Sequence, residues 1–392
     1  MYSTSFLDKL RWSLPWLVNY PRWKVLELVR RLGVQEKQAH IVILVANHYE
    51  PGLGESALRR VENWCQLARA TGDAVRDHDG TPFRHTNFFP AEQYETPLLD
   101  ALASLQADGY GEVEIHLHHG IDKPDTASNT RNVLETFRDT LAERHKCLSR
   151  ENPGADPKYA FVHGNWALAN SAGGRYCGVD SEMQILADTG CYADFTLPSA
   201  PDESQVPRIN AIYQCGNPLS EARPHRSGPE LKVGSMIKEP VIFTGPLVFD
   251  WQRQVHGIPV PRIDDGALAK NYPLSLHRFQ RWRGAHIGVV GRPDWVFIKL
   301  YCHGFFDWDQ DTMIGDGMRR FLNSVMDLAE RTGSFKVHFA TTREAYNMVL
   351  AAVAGESGNP NDFRNYRLRQ VMREFEGQEP VEHGRESVVA LR

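Results

Sequence analysis

The sequence predicts an α/β fold: a distorted (β/α) barrel of about seven strands with a long, loop-rich insertion. Three observations point to it. Short β-branched runs alternate with amphipathic helical stretches, at least five such units recur within 392 residues, and several of the strand runs end in histidine. Strands alternating with helices at this spacing imply βαβ units and a parallel sheet, and this many units in this length favour closure into a barrel.

Taken in order, residues 1–38 read as a helical arm. Trp12, Trp16 and Trp23 stand among Lys9, Arg11, Arg22, Lys24, Arg30 and Arg31. Aromatics mixed with bases suit a membrane interface, so peripheral contact through residues 5–31 is one expectation; an arm held on the domain by its tryptophans is the other. The barrel is expected over residues 39–355. Ile41–Ala46 is a short apolar run of the kind buried on both faces of a parallel sheet, and residues 56–75 follow as a helix. The alternation continues with a strand over Glu112–His118 and a helix over Thr130–Arg144. Next come a strand over Tyr159–His163 and a helix over Ser181–Thr189, then a strand over Trp295–Cys302 and a helix over Met313–Thr332. A strand over Lys336–Ala340 and a helix over Thr342–Val353 complete the pattern. Residues 197–293, rich in Pro and Gly, interrupt the rhythm as an insertion with brief extended pieces at Arg208–Tyr213 and Val241–Thr244. Residues 356–392 are expected to form a helical tail with a loose end.

Composition narrows the function. Hydrophobic residues make up 42% and charged residues 24%, as in a soluble globular protein, and a net charge of −5 gives no reason to expect nucleic-acid binding. The six cysteines contain no C-x-x-C pair, and the first residues lack a secretory pattern, so reduced thiols and a cytoplasmic location, with contact to the inner face of the membrane as an option, are expected. No apolar run reaches the roughly eighteen residues of a membrane span. There is no G-x-S-x-G elbow and no G-x-x-x-x-G-K-[ST] phosphate loop.

The histidines carry the chemistry. His48 lies just past the first strand; His116, His118 and His119 end another; His163 closes a third and His303 a fourth. Loops at the carboxyl ends of parallel strands share one face, where active sites form. Imidazole is the commonest metal ligand, and a catalytic divalent ion needs about three protein ligands and an open position. His116 and His118, two apart, point to the same side of a strand, and His119 points away if the strand continues. Glu50, in the loop with His48, offers an oxygen ligand or a base.

In these segments the sequence resembles the polysaccharide deacetylases of the NodB-homology type, as a divergent member. The resemblance covers roughly residues 40–350, with 197–293 poorly matched, and rests on Ile41–Ala46 followed by Asn47-His-Tyr-Glu-Pro51, His85-Thr-Asn-Phe-Phe-Pro90, His118-His-Gly-Ile-Asp122, Phe161-Val-His-Gly-Asn-Trp166, Leu186–Asp194 and Tyr301-Cys-His303. It implies a distorted barrel and a metal-dependent deacetylation of an N-acetylated sugar. His48, His118 and Asp122 would hold the metal, expected to be zinc, and His116 joins them by its place on the strand. Asn47 stands where the family has its catalytic-base aspartate. An amide does not take up a proton at neutral pH, so that role passes to Glu50. His303 would protonate the leaving amine. His119, His163, Asn165, Trp166 and Trp308 are the candidates for contacting the saccharide. Two other readings stand beside this one: a catalytically altered glycan-binding barrel acting in envelope polysaccharide synthesis, and a glycoside hydrolase pairing Glu50 with Asp122, Asp194 or Asp307 across about 5–10 Å.

Overall fold

The computed structural model describes residues 5–32, 38–252 and 254–373. Nine strands form the central sheet: β1 (Ala39–His48), β2 (His85–Pro90), β3 (Gly111–Leu117), β4 (Tyr159–His163), β5 (Cys191–Asp194), β6 (Ile212–Tyr213), β7 (Val241–Phe243), β8 (Trp295–Cys302) and β9 (Phe335–Phe339). The order is β8-β1-β2-β3-β4-β5-β7-β6, and every pairing is parallel except the terminal β7–β6 pair. β1 is the pivot. One of its edges pairs with β8 along almost its whole length; the other pairs with β9 through Ile43 and with β2 from Ala46 onward.

The strand ladder does not close on itself. Residues of the 197–293 segment span the gap between β6 and β8 by single hydrogen bonds: Leu231 N–H donates to the Ile212 carbonyl, Val290 N–H to Leu231, and Phe297 N–H to Ile287. The segment expected as an insertion therefore supplies β6 and β7 to the sheet, adds a helix at Leu276–Gly284, and covers an edge that would otherwise expose unpaired backbone.

Helices pack on both faces, as a parallel sheet requires. On one face, Ile41, Ile43 and Val45 of β1, Val113, Ile115 and Leu117 of β3, and Phe161 of β4 meet the apolar stripes of helices at Gly54–Ala74, Thr96–Ala107, Ala127–Asp139 and Asp316–Thr332. On the other, Val42, Leu44, Ala46, Phe88, Val162 and Phe297 meet Ala345, Tyr346 and Val349 of the helix Thr342–Ala354. That helix is buried on all sides. Its start is fixed by Thr341, whose hydroxyl accepts from Glu344 N–H while the Glu344 carboxylate accepts from Thr341 N–H. We call these the helix-layer face and the inner face.

The arm forms two helices, Phe6–Leu17 and Tyr20–Leu32. Trp16 and Trp23 are buried, and Trp16 and Tyr20 pack on Phe249 with ring centroids 5.6 and 5.0 Å away. Phe6, Leu7, Leu10, Leu14, Val18, Val25, Leu26, Leu28 and Val29 remain exposed. None of the described helices is long and apolar enough to cross a membrane. The expected C-terminal helix is absent from residues 356–373. This stretch holds two 3₁₀ turns, and Arg369–Gln370 pairs with Ser149–Arg150; the remainder of the tail lies outside the described residues.

Candidate metal centre

The two-residue alternation of a strand decides where each histidine goes. His48 continues the inner-face series of Ala46, and His303 that of Phe297, Lys299 and Tyr301, while His116 lies on the face of β3 opposite Ile115 and Leu117. His48, His116, His118 and His303 converge around Glu50 at the carboxyl ends of β1, β3 and β8. Ligand atoms of His48, Glu50 and His303 lie within 4.8 Å of one another, as do those of Glu50, His116 and His118. The His48 ring centre is 5.3 Å from that of His116 and 4.9 Å from that of His303.

The tautomers are set by what the rings touch. His116 Nδ1 lies 2.7 Å from the Val162 carbonyl, which can only accept, so Nδ1 carries the proton and Nε2 presents a lone pair. That Nε2 is buried without a hydrogen-bond partner among the described residues, and Glu50 Oε1 lies 3.4 Å away. His48 Nε2 is likewise buried and unpartnered. His118 donates from Nδ1 to Glu92 at 2.6 Å and turns Nε2 toward Glu50 at 3.9 Å. A carboxylate holding the far nitrogen of an imidazole is the usual support for a metal-binding histidine.

Electrostatics fit this arrangement. Burial, followed by the charge of His303, His116 and Lys299, lowers the pKa of His48 well below its ordinary value. Burial raises the pKa of the Glu50 carboxyl, but the imidazoles of His116, His118 and His303 around it outweigh burial and hold its pKa below the usual value. Burial lowers the pKa of His303. Behind the mouth, burial pushes the Lys299 ammonium down to about 7, against the pull of Asp194 and Asp265, and pushes Asp194 up to about 7. Lys299 donates to the Leu197 carbonyl at 2.9 Å, and Tyr301 donates to Asp265 at 2.6 Å. Both contacts tie the 197–293 segment to β8 below the mouth.

Several expected site residues lie elsewhere. Asn47 is buried and faces away from the cluster: its Oδ1 accepts from Gly304 N–H at 2.7 Å and its Nδ2 donates to Asn87 at 3.0 Å, so it pins the loop after β8 to β1. Asp122 is exposed and does not join the converging ligand atoms, because the turn after His118 carries it outward. His119 and His163 continue the helix-layer series of Leu117 and Phe161, so both are buried on the far side of the sheet rather than at the mouth. Asn165 is exposed and Trp166 half-buried, both in left-handed backbone. Trp308 is 63% exposed and stacks on Phe306 at 4.5 Å, and Phe306 lies 5.8 Å from His303.

Glu92 was not legible as a site residue; it sits in a three-residue turn after β2 that carries no pattern. A cleft of about 520 Å³ opens at the opposite end of the strands beside Arg84, Glu344 and Arg343. There Arg343 pairs with Glu112 at 2.8 Å and Arg84 with Glu344 at 2.7 Å, which makes that end a structural ion network. Comparison of the chain with protein-family models and with curated proteins returned no match.

Proposed function

We propose that the chain is a metal-dependent hydrolase of carbohydrate, removing the acetyl group from an N-acetylated sugar, on a distorted barrel whose gap is filled by residues 197–293. The observation that carries this reading is the pair of buried imidazole nitrogens, His48 Nε2 and His116 Nε2, that have no hydrogen-bond partner among the described residues, with Glu50 Oε1 3.4 Å from the second. A buried polar atom without a partner costs about 1–3 kcal/mol, and neutral imidazole lone pairs around a carboxylate are the donor set a divalent cation takes. His48, His116 and His118 are the residues that would hold it, leaving a position open for water beside Glu50. A bound divalent ion would supply Lewis acidity and bring the pKa of a water toward about 7.

The chain's own groups then divide the work. Glu50 is ionised and takes a proton from the attacking water. His303, on the other side of Glu50 and neutral at rest, carries that proton to the departing amine. Glu92 keeps His118 in one tautomer. Phe306 and Trp308 offer an open aromatic face leading to His303, suited to stacking on a sugar ring.

The test is acetate release from N-acetylglucosamine oligomers by the zinc-loaded full chain. Release that falls by at least about a hundredfold in Glu50→Gln supports the reading. Free reducing ends without acetate would replace it with glycosidic cleavage. Saccharide binding with neither product would leave a glycan-binding protein.

A further inference from the structure

On the helix-layer face, directly behind the mouth, lies a second cluster: His119, His163, Cys177 and Glu182. All four are buried, and their ligand atoms lie within 4.8 Å of one another. We propose that it is a closed, structural site for a divalent metal of the zinc class, distinct from the mouth.

The ring tautomers carry the argument. His119 Nδ1 lies 2.9 Å from Asp125 Oδ2, and His163 Nδ1 faces the Gly164 carbonyl. Both acceptors need a proton on Nδ1, so each neutral ring presents a bare Nε2. Those two nitrogens are 3.0 Å apart, and Glu182 Oε1 lies 2.8 Å from one and 3.2 Å from the other. Two lone pairs and a carboxylate at such distances repel unless a metal ion or a shared proton sits among them. Cys177 Sγ completes the set, 3.6 Å from Glu182 Oε2. Tetrahedral zinc bonds of about 2.0–2.3 Å imply edges of roughly 3.3–3.6 Å, so the nitrogens and the carboxylate would move apart by up to about half an ångström to take the ion.

The surroundings are those of a metal site. Val179 N–H donates to Cys177 Sγ at 3.5 Å, the orientation that stabilises a thiolate. Ala169 N–H donates to Glu182 Oε2 at 2.6 Å from a loop in which Asn165, Trp166, Ala169 and Asn170 all adopt positive φ. Such strain persists only where surrounding contacts over-determine it, as in a ligand clamp. Gly120 is required for the approach of the cysteine loop, since a Cβ there would stand 2.3 Å from the Cys177 carbonyl oxygen. Charge balances as well: one thiolate, one carboxylate and two neutral imidazoles neutralise a divalent ion, and binding releases the Cys177 proton to solvent. No solvent-facing ligand position remains, which marks a structural rather than a catalytic site. A Cβ on Gly164 would fall 2.3 Å from His118 Cδ2, so the second cluster and the mouth share a wall, and filling one braces the other.

The experiment uses the full chain loaded with cobalt(II) or zinc. Cobalt should give a thiolate-to-cobalt charge-transfer band in the near ultraviolet. Cys177→Ser should abolish that band, and Glu182→Gln should lower bound metal by one ion per chain. His116→Ala should leave the band intact. If Cys177→Ser does not fold, the wild-type cobalt spectrum alone decides. Absence of a thiolate band, or an unchanged band in Cys177→Ser, overturns the proposal and leaves a proton-bridged histidine pair. A wild-type chain holding a single ion with the thiolate band supports this site while refuting metal at the mouth.

Discussion

Glu92 offers a perturbation whose effect can be worked out in advance. Its carboxylate accepts the Nδ1 proton of His118 at 2.6 Å and the His118 backbone N–H at 3.4 Å, yet it is itself partly exposed and makes no hydrogen bond to Glu50 or the other imidazoles among the described residues. Removing it should therefore leave the core intact and act only through His118. Without the carboxylate, the ring can rotate and can carry its proton on Nε2, the nitrogen facing Glu50. Loss of such an orienting partner weakens metal affinity about 10–100-fold, or about 1.4–2.7 kcal/mol. Zinc affinity measured by competition with a chromophoric chelator should therefore fall in the order wild type, Glu92→Gln, Glu92→Ala, with the alanine variant in that range and its urea midpoint unchanged. Equal affinity in wild type and Glu92→Ala would refute the claim that His118 Nε2 is a ligand.

Three further outcomes follow from the same structure. Arg343→Met should destabilise the fold by about 3–5 kcal/mol in urea titrations, because it leaves the buried Glu112 carboxylate without its cation and removes one of the two donors to each of the Arg364 and Leu368 carbonyls, which Asn347 also holds. At Glu344, burial raises the pKa but is outweighed by Arg84, Arg364 and Arg343, so the carboxyl sits below its ordinary value of 4.5. Its contribution is thus present above that value and lost as pH falls through the depressed one. Glu344→Gln should lower stability at pH near 7 and flatten its decline below about pH 4.5. Finally, the arm's exposed apolar residues alternate with exposed Lys9, Arg11, Arg22 and Lys24. Sedimentation with phosphatidylserine vesicles, but not with phosphatidylcholine vesicles, is expected and should be lost in Leu10→Ser/Leu14→Ser/Val18→Ser; equal sedimentation with both lipids would count against the electrostatic part of that contact.

What the sequence disclosed follows from how strongly each signal is fixed locally. The strands Tyr159–His163 and Trp295–Cys302 were legible to the residue, because continuous apolar runs bounded by polar loops have few other uses in a parallel sheet. The gathering of His48, His116, His118 and His303 was legible as well, since strand ends share a face. The division of the histidines needed register. His119 and His163 differ from His118 and from the neighbouring Val162 by one position, and one position is a change of face. Asn47 occupies a strand-end position, yet its amide is consumed by Gly304 and Asn87, partners distant in sequence. Cys177 and Glu182 lie in a glycine-containing loop and at a short helix start; only folding brings them to His119 and His163. Residues 369–370 pair with 149–150, a contact no periodicity announces.

The mouth is proposed to hold a divalent ion through His48, His116 and His118, with Glu50 as the base beside it. The most direct test of this proposal is the metal content of the full chain after zinc loading and desalting, compared with His116→Ala. The variant should carry one ion fewer per chain and release no acetate from N-acetylglucosamine oligomers, while Cys177→Ser retains the ion at the mouth. A His116→Ala chain that binds as much zinc as the wild type would contradict it.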